Sequence, residues 1–187
     1  MAKNQNNAGK ASSVDFAQIA ADVTAAAKDK PGSRGNQLQR VGKFLAGGGK
    51  GVQTMREALG DEGAARIVAL PRNVLAKLPK LAECIESGTE WCSLAGFDVS
   101  GSRKEDASVA VALAGLGAGT ERQKAVVAAA SARYPGGANA QMPAALDALC
   151  FFRIVQRPLN QSARNAEYVI VDKARADALM PRVQEVK

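Results

Sequence analysis

The chain has 187 residues, a formal net charge of +7 and no histidine; 47% of its residues are hydrophobic but only 4% are aromatic. Without histidine, the side chain best suited to proton transfer near neutral pH is missing, and Cys–His nucleophile pairs are excluded. The alanine-rich, aromatic-poor balance excludes a β-sandwich and favours closely packed helices, and no apolar run approaches the ~18 residues needed to span a bilayer.

In chain order, residues 1–12 are too polar to bury enough surface to offset ordering, so a flexible N-terminal arm is expected. A first helix is predicted over about 14–28, capped by Ser12 followed by Asp15 or by Ser13 alone, with Phe16, Ile19, Ala20, Val23 and Ala27 on one face. Asp29-Lys30-Pro31-Gly32 stops it. A second helix over about 36–46 turns Leu38, Val41 and Leu45 inward and Arg40 and Lys43 outward, and Gly47-Gly48-Gly49-Lys50-Gly51 ends it. Val52, Met55 and Leu59 mark a short third helix, and Asp61 is expected to cap a fourth over about 63–70. Helical spacing then continues from Pro71 to Ile85, with a kink or two consecutive short helices at Pro79.

Residues 87–102, anchored by Trp91 and Phe97, read as a long connection and as the candidate boundary between two small lobes. Helices are expected over about 106–116, over about 120–134 behind a Thr120/Gln123 capping box, and over about 143–156 with Pro143 in the first turn. Tyr168 to Val171 reads as a strand, and Asp172 is placed to cap a terminal helix over 173–179. The expected fold is mainly α, a compact bundle of seven to eight short helices spanning 13–180, with a tail over 181–187.

Charge is distributed unevenly. Lys28, Lys30, Arg34, Arg40, Lys43, Lys50 and Arg56 face a single nearby acid, Asp29, whereas residues 57–187 carry sixteen basic and fifteen acidic side chains. Ordinary solvated surfaces mix signs, so an early unneutralised segment on a nearly neutral body points to a polyanion, nucleic acid above all. Arg34, Arg40, Lys43, Lys50 and Arg56 are the expected main phosphate contacts, with Arg72, Lys77 and Lys80 as extensions. Phe44 is the one aromatic residue in the segment. Base stacking is therefore not expected, and recognition should run through phosphates with little regard to sequence.

Other chemistry finds little footing. The glycine loop departs from the phosphate-loop spacing, because Gly51 follows Lys50 where a hydroxyl is needed and Phe44 stands where the first glycine belongs. The acid pairs Asp61/Glu62 and Glu105/Asp106 lie at predicted helix starts, where they serve the helix dipole. Cys84, Cys92 and Cys150 are read as free thiols of a reducing compartment, and no metal, cofactor or catalytic site is expected. No secretion signal is read in the opening residues, so a cytoplasmic or virion location is expected.

The reading that follows is a non-enzymatic protein that coats or packages a genome, binding nucleic acid (RNA ahead of DNA), self-associating into an oligomer or filament, and avoiding membranes. In character it is similar to helical viral coat and nucleocapsid proteins, by architecture alone. The alternatives are a helix-turn-helix DNA-binding regulator using residues 63–80 and a helical protein-binding scaffold.

Overall fold

The computed structural model describes residues 15–91, 137–157 and 168–179. The expected arm, the connection beyond Trp91 with Phe97 and Cys92, the helices over 106–134 and the C-terminal tail lie outside the described residues.

The described chain is mainly helical, as its composition implies. Helix α1 (Phe16–Lys28) and helix α2 (Ser33–Ala46) form an antiparallel hairpin. Asp15 caps α1, its carboxylate accepting from the backbone N–H groups of Ala17 at 3.0 Å and Gln18 at 3.2 Å. Ile19, Ala20 and Val23 are buried as their spacing implies. Helix α2 starts three residues before the expected Asn36, and Leu38, Val41 and Leu45 face the core beside two buried glycines, Gly35 and Gly42. A side chain at either glycine would strike α1 or the turn after it, at Ala27 and Lys30 for Gly35 and at Thr24 for Gly42. These two glycines, seven residues apart on one face, let the hairpin close to backbone contact.

Helix α3 (Val52–Leu59) buries Val52, Met55 and Leu59 as expected. The N-cap position of the fourth helix falls on Glu62, one residue after the expected Asp61. Gly60–Glu62 is a short 3-10 turn, and helix α4 (Gly63–Ala69) follows it with no side-chain cap. At Pro79 the chain makes two short helices rather than a kink. Helix α5 (Arg72–Leu75) stops before helix α6 (Leu78–Ser87), which carries the proline in its first turn, where a missing N–H costs nothing.

Helix α7 (Gly137–Phe151) encloses Pro143 instead of starting at it, and ends five residues before the expected Gln156. The end is a Schellman-type turn. Ile154 N–H donates to Leu149 O at 3.0 Å and Arg153 N–H to Cys150 O at 3.0 Å, with Arg153 at φ 56°. The freed residues form strand β1 (Val155–Gln156), which pairs antiparallel with strand β2 (Val169–Ile170), Val155 opposite Ile170. Helix α8 (Lys173–Leu179) is capped by Asp172, whose Oδ1 accepts from Arg175 N–H at 3.0 Å. Helix α7 packs on α5 and α8 on α6, and the fully buried Trp91 donates its backbone N–H to Leu179 O at 3.1 Å.

Candidate functional site

The seven basic residues of the 28–56 segment divide into two groups. Arg34 and Arg56 are half-buried and bonded to backbone. The Arg34 guanidinium donates to Val68 O at 2.9 Å and Leu70 O at 3.2 Å, closing the end of α4. Arg56 donates to Leu45 O at 2.8 Å in the last turn of α2 and lies over the Phe16 ring, 5.3 Å from its centroid. The last carbonyls of a helix have no partner inside it and carry its negative dipole end, so a guanidinium there satisfies both needs. Each of these two expected phosphate contacts holds its Nη2 at a helix end and has its Nε buried without a hydrogen-bond partner among the described residues, so neither is presented as an exposed cation.

Lys28, Lys30, Arg40, Lys43 and Lys50 are exposed. Lys28 closes the last turn of α1, Lys30 sits in the turn after it, Arg40 and Lys43 project from the outer face of α2, and Lys50 stands in the loop before α3. Among the described residues none of the five has a carboxylate within 4.0 Å. Helix α2 contains no acid at all. Lys28 and Lys43 also suit the helix C-termini where they lie, which accounts for two of the five without a ligand.

The expected extensions fare differently. Lys77 is 1% exposed, sunk between α5 and α6, so it is corrected from a surface contact to a core residue. Arg72 is exposed but engaged, donating to Ser33 Oγ at 3.0 Å and Asn73 Oδ1 at 3.3 Å. Lys80 is exposed and pairs loosely with Glu83, 3.5 Å apart. The helix-turn-helix expectation is not met in shape. Its second helix, α5, has only four residues, and Val74, Leu75 and Lys77 all point inward.

Beside the basic face lies a cleft of about 340 Å³ between the glycine loop and α6, lined by Lys50, Lys80, Glu83, Cys84, Ser87 and Thr89. Gly51 builds it. With φ +81°, Gly51 lies flat on α6, where a Cβ would come 2.5 Å from the carbonyl carbon of Ala82. Ser87, Thr89 and Glu83 have no local signature in the sequence, because their grouping with Lys50 depends on this contact. A larger cleft of about 630 Å³ between α3, the end of α7 and the start of α8 mixes charges. There Lys173 is held by Asp177 at 3.0 Å and Arg175 by Asp172 at 3.5 Å.

No family model matches this chain, and no curated protein or solved structure does. Its own residues carry the rest. Burial pushes the Cys84 thiol up, and burial together with Asp147 pushes Cys150 up to about 11. Both thiols are therefore poor nucleophiles at neutral pH. Asp147 is also raised by burial, against the pull of Arg157 3.7 Å away. Among the described residues no group of three or more His, Cys, Asp or Glu side chains could hold a metal ion, and no helix is long and apolar enough to cross a membrane.

Proposed function

We propose that this protein binds nucleic acid through its phosphates, without sequence preference and without catalysis, and assembles along the polymer as a genome-coating protein. The observation that carries the reading is the set of five exposed cations, Lys28, Lys30, Arg40, Lys43 and Lys50, with no described carboxylate at pairing distance. Phosphate neutralisation releases condensed counterions, which supplies affinity that is indifferent to base identity. No exposed aromatic residue accompanies these cations on α1, α2 or the glycine loop, so stacking on bases adds nothing there.

Assembly follows from the size of this term. Non-specific phosphate contacts of this kind give dissociation constants of about 10⁻⁴–10⁻⁶ M at physiological salt. A subunit with five such contacts holds a strand durably only when neighbours share it, because linked copies raise the effective concentration. Single-stranded RNA is the polymer placed first, by the likeness in character to helical coat proteins. The reading predicts that the purified protein forms rings or filaments with RNA in electron micrographs. An Arg40→Glu/Lys43→Glu variant should keep its circular dichroism and lose both binding and assembly. A protein that stays monomeric with and without RNA contradicts the proposal.

A further inference from the structure

We propose that the cleft between the glycine loop and α6 is a subsite for one backbone phosphate of a single strand, held between Lys50 and Lys80 with the Ser87 and Thr89 hydroxyls as hydrogen-bond partners. The inference rests on the function proposed above and extends the phosphate path from α2, across the loop, onto α6. Three observations carry it.

The first is composition. Two lysines and two hydroxyls line one recess of about 340 Å³, and Lys50 is shared with the exposed basic face. Lysine supplies a point charge with three donors and hydroxyls supply adjustable donors, a combination that suits the non-bridging oxygens of a phosphodiester.

The second is rigidity. One wall is fixed by Gly51 lying against the Ala82 backbone. The opposite rim is fixed by the Schellman turn that ends α6, in which Gly88, at φ 58°, donates to Ile85 O at 3.2 Å and Thr89 N–H to Cys84 O at 3.0 Å. A recess whose walls are set by backbone contacts costs little to organise when a ligand arrives.

The third is the arrangement of acids. Glu86, one turn along α6, accepts from Thr54 Oγ1 at 2.6 Å and is directed toward α3. Glu83 lines the cleft and pairs with Lys80 at 3.5 Å, with both side chains near half exposed. It acts as an internal competitor for the lysine that an incoming phosphate displaces. A recess between a loop and a helix admits a flexible strand, whereas the convex, stiff backbone of a duplex spans its mouth.

The test is fluorescence anisotropy of a labelled twelve-nucleotide oligouridylate with the full chain, titrated at several salt concentrations. Lys80→Ala should weaken binding by about three- to tenfold, and Lys50→Ala with Lys80→Ala should reduce the magnitude of the log K–log salt slope by about 0.7, the one single-strand phosphate that the two lysines share. Glu83→Gln should tighten binding about threefold. Ser87→Ala should weaken it with the slope unchanged, since no charge is lost. On a twelve-base-pair duplex, Lys80→Ala should change nothing. If the unaltered protein binds oligouridylate with its full salt slope while Lys80→Ala and Glu83→Gln leave affinity unmoved and the double lysine variant leaves the slope unmoved, the cleft is not a subsite although the wider function stands. Equal losses on strand and duplex overturn the single-strand assignment. Absence of any salt-dependent binding by the unaltered protein overturns the function itself, and the subsite with it.

Discussion

Arginine does two different jobs in this chain, and burial separates them. Arg34 and Arg56 close the ends of α4 and α2, and Arg66 does the same more extensively. Arg66 donates to Ala58 O, to Leu59 O at 3.4 Å and to Phe151 O at 3.2 Å, and stacks over the Phe151 ring at 4.6 Å. It thereby joins the ends of α3 and α7. A hydrogen bond from a charged donor contributes about 1.5–3 kcal/mol. Arg34→Ala or Arg56→Ala should therefore lower the urea-unfolding free energy by roughly 2 kcal/mol and leave the salt slope of nucleic-acid binding unchanged. Loss of slope without loss of stability would put these arginines back among the phosphate contacts. Asp147 makes a pH prediction. Its carboxyl is raised in the fold, so the folded state holds the proton more tightly than the unfolded chain. That contribution favours folding at low pH and is lost as pH rises from the ordinary carboxylate value through the raised one. Asp147→Asn should flatten this part of the stability–pH curve and raise stability at neutral pH; an unchanged curve contradicts the assignment. Cys150, pushed up to about 11, should react with iodoacetamide at pH 8 roughly a hundredfold more slowly than an exposed thiol.

Elements were legible where periodicity and turn residues agree. Ile19/Ala20/Val23, Leu38/Val41/Leu45 and Val52/Met55/Leu59 are buried as their spacing implies, and Asp172 caps α8. The end of α7 was not legible, for a definite reason. Its stop is a left-handed residue, and arginine stands where glycine is the usual signal, so the helical pattern in the sequence runs on to Gln156. Strand β1 was hidden with it, although its partner over 168–171 was visible as a β-rich run. Left-handed backbone costs a residue with a Cβ about 1–2 kcal/mol, of which part is offset by the entropy that glycine loses on folding. Arg153→Gly should therefore stabilise the protein by about 0.5–1 kcal/mol in thermal or urea unfolding. Gly51→Ala should do the opposite. Its φ of +81° and the approach to Ala82 leave no room for a methyl group, so a loss of at least ~2 kcal/mol is expected. A neutral Gly51→Ala would mean that the loop does not rest on α6, and the cleft wall would go with it.

At the scale of the molecule, the charge asymmetry along the chain was legible from residue types alone, but its use was not. Charge patterning cannot tell a cation that closes a neighbouring helix from one that faces solvent, because the difference lies in long-range contacts such as Arg34 to Leu70. Lys77 illustrates the same limit of pattern, since its position between two short helices places it in the core. What remains is a helical body that presents Lys28, Lys30, Arg40, Lys43 and Lys50 on α1, α2 and the glycine loop, with no described carboxylate within 4.0 Å of them. The most direct test is the affinity for a single-stranded oligonucleotide as a function of salt. Five phosphate contacts predict a log K–log salt slope of roughly −3.5, nearly the same for different base sequences. A slope near zero, or no binding at low salt, would contradict the assignment of this face to nucleic acid.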